Sequence, residues 1–176
     1  MDKETIIKTL ESNHLKLNIW IRDVGLDQWE KGPQGKWTVG QHILHLVISD
    51  RLLNKALATP KFFLKYKFGT ANRPSRSYED VAKRYQERLL ENIERSREFN
   101  KELKKPSLKE YEEILETLQI LNKKLQYKTR KLKDEYLDTL LLPHPLMGRM
   151  TLREIIMWSS YHTEHHLQIL KEKYTS

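Results

Sequence analysis

Four times along this chain a serine or threonine stands three residues ahead of a side-chain acceptor and opens an apolar run. The quartets are Thr38-Val39-Gly40-Gln41, Ser77-Tyr78-Glu79-Asp80, Ser107-Leu108-Lys109-Glu110 and Thr151-Leu152-Arg153-Glu154. The hydroxyl accepts from a backbone amide of the first turn and the acceptor reaches back to the hydroxyl residue's own N–H, so each quartet satisfies its donors by starting a helix. The Ser77 quartet ends in Asp rather than Glu or Gln and is the weakest; Pro106 sharpens the start at Ser107. A stripe of Ile6, Ile7, Leu10, His14, Leu17 and Ile21, at steps of three and four, adds a helix over about Lys3 to Asp23. The chain therefore predicts five helices: this one, Thr38 to Ala58, Tyr78 to Leu103, Leu108 to Tyr136 and Thr151 to Lys173. The second is apolar on nearly every face, which buries it between others, whereas the third is charge-rich and partly peripheral. Linkers fall at Gly25 to Lys36, Thr59 to Arg76 and Leu141 to Met150. Few glycines and prolines (six of each in 176 residues) favour helices over a sheet sandwich, and the length suits one all-α bundle domain, residues 1–176.

Composition narrows the chemistry. With no cysteine, the chain can form neither disulfides nor thiolate nucleophiles nor thiolate-metal sites. The start, Met1-Asp2-Lys3-Glu4-Thr5, lacks the basic-then-apolar order of a signal peptide, and no apolar run approaches the roughly 18 residues of a membrane span. The expected location is the cytoplasm. The net charge of +8 is concentrated in two stretches: Lys123 to Lys133, with six basic residues, and Lys61 to Arg76, with five, neither containing an acid. The second also holds Phe62, Phe63, Tyr66 and Phe68, the mixture a single-strand stacking surface uses. No recognised nucleic-acid motif accompanies either stretch, so the plainer reading is a solvated helix face and a loop packing its aromatics on the bundle. A homodimer is left open.

Three of the seven histidines crowd into Tyr161-His162-Thr163-Glu164-His165-His166, inside the last helix. Residues four apart on a helix lie one turn up on the same face, close enough for two imidazoles to share an ion. The stripe of Leu152, Ile155, Ile156, Ser159 and Leu170 puts His166 at its centre and His162 at its shoulder, with His165 about 100° away towards solvent. Two histidines make half a site, because a catalytic zinc keeps three protein ligands and an open position. His42 and His45, in the buried second helix, are both candidates for the third. His45 shares a face with the small residues Ser49 and Ala56, which leaves room beside it.

The segment Trp37-Thr38-Val39-Gly40-Gln41-His42-Ile43-Leu44-His45-Leu46 resembles one hallmark of the DinB-like metal-binding superfamily, a Trp-Ser/Thr start with a histidine eight residues after the tryptophan. The segment His144-Pro145-Leu146-Met147-Gly148, followed by Tyr161-His162 through His166, resembles the second. The resemblance runs from the first helix to the last and implies an up-down four-helix bundle with three histidines holding a divalent metal, zinc or nickel. By position it assigns the ligands to His45, His162 and His166. The charged segment Tyr78 to Leu103 is an additional helix beyond that pattern.

The resemblance implies two reaction classes, transfer of a low-molecular-weight thiol such as bacillithiol to an electrophile, or metal-dependent hydrolysis. A zincin carries a glutamate base after its first histidine, but Thr163 stands there, and Glu164 falls on the far side of the helix. With no carboxylate placed as a base, thiol transfer is the leading expectation, with hydrolysis and a non-catalytic metal-holding or nucleic-acid-associated bundle as alternatives. His42 is a candidate to support a ligand by hydrogen bonding. His14 and His165 read as stripe or surface residues, His144 as a loop-shaper, and Trp37 and Trp158 as core. Arg149 and Arg153 are candidates to attract the carboxylates of a thiol.

Overall fold

Each hydroxyl quartet opens a helix. Thr38 and Gln41 exchange both capping bonds (3.0 and 3.2 Å), and so do Thr151 and Glu154 (3.1 and 3.2 Å). Ser77 accepts from the Asp80 amide at 3.0 Å, and Glu110 accepts from the Ser107 amide at 3.0 Å. The computed structural model describes residues 1–174, the side chain of Phe99 excepted. Thr175 and Ser176, the end of the expected 1–176 domain, lie outside the described residues.

The elements run α1 (Lys3–Val24), α2 (Val39–Ala58), α3 (Lys61–Phe68), α4 (Tyr78–Glu91), α5 (Ile93–Phe99), α6 (Tyr111–Lys131), α7 (Asp134–Thr139), β1 (Leu141–His144), β2 (Gly148–Thr151) and α8 (Leu152–Lys173). The four long helices make the bundle: α1 and α2 each pack against both α6 and α8. The second and fifth expected helices, α2 and α8, are thus neighbours. The short helix α4 lies on α8, and α3 on β1. No helix among the described residues is long and apolar enough to cross a membrane.

The structure corrects the expected helix map in four places. The third helix divides at Asn92, which leaves helical geometry (φ −126°, ψ 35°) and whose side-chain amide donates to the Arg88 carbonyl at 2.8 Å, satisfying an acceptor the helix no longer serves. The fourth ends at Leu132 (ψ 138°), whose side chain is buried, and a separate α7 follows. The linker after Ala58 folds α3 directly behind Pro60. The linker before α8 is a small antiparallel hairpin, β1 to β2, turned by Gly148 at φ 73°, a conformation that suits a residue without a Cβ.

Two clusters of buried apolar side chains fill the bundle. One holds Ile6 and Leu10 of α1, Leu53 of α2, Leu125 of α6 and Trp158 of α8; the other holds Leu17, Val47, Leu121 and Leu167 of the same four helices. On each helix the change of cluster coincides with a buried polar residue: Asn13 in α1, Asp50 in α2, Asn122 in α6 and His162 in α8. Asn13 completes the buried stripe of α1, while the expected His14 is only half-buried. Buried polar groups need partners, and three of these find theirs across the bundle. Asn13 donates to the Ser160 carbonyl at 3.1 Å, Asn122 to the Leu10 carbonyl at 3.3 Å, and Asp50 accepts from the Ser159 hydroxyl at 2.8 Å.

Candidate metal centre

His162 and His166 lie one turn apart on the face that α8 turns to α2, and α2 supplies His45. Their Nε2 atoms converge. His162 Nε2 lies 3.1 Å from His45 Nε2 and 3.0 Å from His166 Nε2, and the ligand atoms of all three residues lie within 4.8 Å of one another. Nitrogens bound tetrahedrally to zinc at 2.0–2.1 Å stand about 3.3 Å apart, close to both of these spacings. Burial lowers the pKa of His45 to about 4 and those of His162 and His166 well below the ordinary histidine value; a hydrogen bond with the Asn100 side chain partly offsets the shift at His45. All three imidazoles are therefore neutral at pH 7, the form that ligates a metal.

A chain of hydrogen bonds fixes which nitrogen of His166 is bare. The Trp37 carbonyl can only accept, so the Tyr174 hydroxyl, 2.5 Å away, donates to it. Tyr174 has no second proton, and His42 Nε2–H must donate to its oxygen (3.1 Å). Burial holds His42 neutral, its pKa lowered to about 3, so its Nδ1 carries a lone pair. That lone pair accepts from His166 Nδ1–H at 2.8 Å. Neutral His166 then has no proton on Nε2, and the lone pair points into the triangle. His42 acts as the supporting residue that its position suggested, with Tyr174 and Trp37 completing the chain.

The two tryptophans sit closer to the site than core residues would need to. Trp37 is half-buried and covers three imidazoles, with ring centroids 5.2 Å from His42, 5.1 Å from His45 and 6.1 Å from His166, the last almost parallel. Trp158 belongs to the core and also stacks on His162 at 4.6 Å. Nothing in the spacing of either residue revealed this double role.

Beside His45 and His162 opens a cavity of about 550 Å³. Its walls include Ser49 and Ala56, the small residues on His45's face, together with Trp158, Ile155 and aromatic residues of α3. No carboxylate among the described residues lines it. Glu164 turns away, accepting from Tyr78 Oη at 3.2 Å and Asn13 Nδ2 at 3.4 Å.

The remaining candidates fall outside the triangle. His165 is half-buried against Tyr85 (5.6 Å between rings) rather than solvated, because α4 covers that side of α8. His144 shapes the hairpin turn, its Nδ1 accepting from the Leu146 and Met147 amides at 3.1 Å each. Arg153 is buried and held by Asp138 (2.6 and 2.8 Å) and Asp134 (2.8 Å), and neither it nor exposed Arg149 lines the cavity. The cations that do are Lys55, Lys67 and Arg95. Of the two basic stretches, Lys123 to Lys133 is a largely solvated helix end, and the aromatics of Lys61 to Arg76 divide between cavity wall and open surface.

Fold and site together define a helical bundle with a three-histidine centre able to hold a metal ion. The DinB superfamily model matches residues 9–170, and the chain belongs to that superfamily. No curated protein and no solved structure matches it.

Proposed function

We propose that this protein is a metal-dependent enzyme in which His45, His162 and His166 hold one divalent ion, zinc or nickel, and that it conjugates a low-molecular-weight thiol to an electrophile. The observation that carries this reading is the convergence of three neutral imidazoles at an apolar cavity that no carboxylate among the described residues lines. A divalent ion held by three neutral imidazoles keeps its full charge and an open position, and supplies the Lewis acidity that brings a thiol or water towards ionisation at neutral pH. Hydrolysis calls for a base to manage the proton of attacking water, and no carboxylate among the described residues lines the cavity to serve as one. Thiol conjugation asks less of the protein: the C–S bond forms as the bond to the leaving group breaks, and the thiol proton passes to solvent. The chain has no cysteine, so the sulfur arrives with the co-substrate.

The protein's own groups position and exclude. His42 and Tyr174 hold His166 in the ligating tautomer, Trp37 and Trp158 cover the imidazoles, and the apolar wall keeps bulk water from the reacting atoms. The test begins with elemental analysis of protein purified without a histidine tag. Several cellular thiols are then offered with a fluorogenic electrophile to the metal-loaded wild type, His45→Ala and His166→Ala. We expect one ion per chain and thiol-dependent turnover only in the wild type. Equal rates in all three proteins, or metal-dependent hydrolysis indifferent to thiol, would overturn thiol transfer.

A further inference from the structure

The cavity's lining is uneven in charge. Around its apolar walls stand Lys55, Lys67 and Arg95, all exposed, and no acidic residue among the described residues lines the cavity to offset them. None of the three forms an ion pair among the described residues. Lys67 Nζ sits 5.4 Å from the centre of the Phe68 ring and 6.0 Å from that of Phe63, so the cation is held against the aromatic wall itself. Leu52 and Phe63 line the same cavity while 58% and 44% exposed, so the apolar surface continues out to solvent. At the imidazole end, Trp158 is 8% exposed and its Nε1–H is buried with no hydrogen-bond partner among the described residues. A buried donor left unpaired costs about 1–3 kcal/mol, which a bound acceptor would recover.

We propose that the cavity binds an amphiphilic organic anion: an aliphatic or aryl body along the Leu52, Leu53 and Phe63 wall, a carboxylate or phosphate head at Lys55, Lys67 and Arg95, and an acceptor atom towards Trp158. This rests on the metal-dependent reading only for its role, where the anion is the electrophilic substrate whose far end reaches the histidines. The recognition itself needs no ion. A volume of about 550 Å³ lies within the range of small-molecule sites, and a lining this apolar selects the body by hydrophobic burial while the cations select the head.

The test is calorimetric titration of octanoate, octyl phosphate and octanol into the full-length chain, metal-loaded and chelated, at one ionic strength. The three unpaired rim cations should make the anions bind about tenfold more tightly than the alcohol. Lys55→Glu/Lys67→Glu should remove that preference without changing octanol binding, and Ala56→Trp, which fills the cavity, should weaken all three ligands. Circular dichroism checks that each variant keeps its helices. The choice between octanoate and octyl phosphate identifies the head. Equal affinity for anion and alcohol, or anion binding unchanged in the charge-reversed protein, would overturn the inference. Loss of the anion preference on chelation would also overturn it, by placing the head on the ion. Failure of the metal reading shows separately, as a protein that takes up no ion yet still prefers the anions.

Discussion

The first turn and the middle of α8 bury polar side chains in opposite ways. At the N-terminal end Glu154 has no exposed surface and is surrounded by donors: Arg73 (2.5 and 2.9 Å), Arg76 through its amide (2.8 Å) and guanidinium (3.2 Å), and the Thr151 amide (3.1 Å). Burial alone would push this carboxyl up, but Arg73 and the two amides outweigh it and hold the pKa below the ordinary value. Two turns on, His162 and His166 are also buried, yet they face only another imidazole and each other across the triangle. Glu154 is a finished structure. The histidines bring three ligand nitrogens together, and that difference separates a folding device from a site.

The largest test of this contrast is Glu154→Ala, which strips both arginines of their partner and removes the capping box. We expect a loss of about 2–4 kcal/mol by urea unfolding, because a buried ion pair is costly to break from one side and a cap adds about 1 kcal/mol. Glu154→Gln keeps the cap's shape and should cost less. A loss below about 1 kcal/mol for the alanine variant would mean that Glu154 does not anchor this end.

The middle test concerns the histidines. His42→Phe keeps a ring at the position but leaves His166 Nδ1 without its acceptor, so nothing selects the tautomer. Groups that orient a ligating histidine are worth about 10–100-fold in metal affinity. We expect a decline of that size in competition against a chromophoric chelator, with the helical circular dichroism unchanged. Undiminished affinity would show that the hydrogen-bond chain from Trp37 to His166 does not control the site.

What could be read from the sequence divides along the same line. Helix starts and the His162/His166 pair depend on spacing within one helix, and spacing is what a sequence displays. The break at Asn92 was hidden because one side chain replacing one backbone bond alters no periodicity. Neither His42's link to His166 nor Asn100's contact with His45 was fixed by spacing, since both join residues on separate elements. The choice between His42 and His45 was settled by the family resemblance; the second helix, apolar on most faces, offered only the small residues Ser49 and Ala56 on His45's face as a hint. Arg153 looked available because it is basic and near the histidines in sequence, but Asp134 and Asp138 were already placed to take it.

The smallest and most discriminating test compares Glu154 with a second buried carboxyl. Asp50 accepts from the Ser159 hydroxyl at 2.8 Å and has no ion pair among the described residues, so burial wins and pushes its pKa up to about 7 from 3.8. Between those values the folded chain holds a proton that the unfolded chain has released, so the Asp50 contribution falls as pH rises through this window and stays low above it. Glu154 behaves in the opposite sense: its depressed pKa contributes stability above the unfolded value of about 4.5, lost as pH falls. Asp50→Asn removes the titration while leaving an amide oxygen to accept from Ser159. The variant should match the wild type or fall slightly below it at pH 4, and exceed it by about 1–2 kcal/mol at pH 8. That gain is well under the ceiling set by about 1.36 kcal/mol for each pH unit between the folded and unfolded pKa values. All other groups titrate alike in both proteins, so the difference between the two stability curves isolates Asp50. A flat difference across that range would mean that Asp50 is ionised in the fold, and that a single hydroxyl serves a buried carboxylate as well as two arginines do.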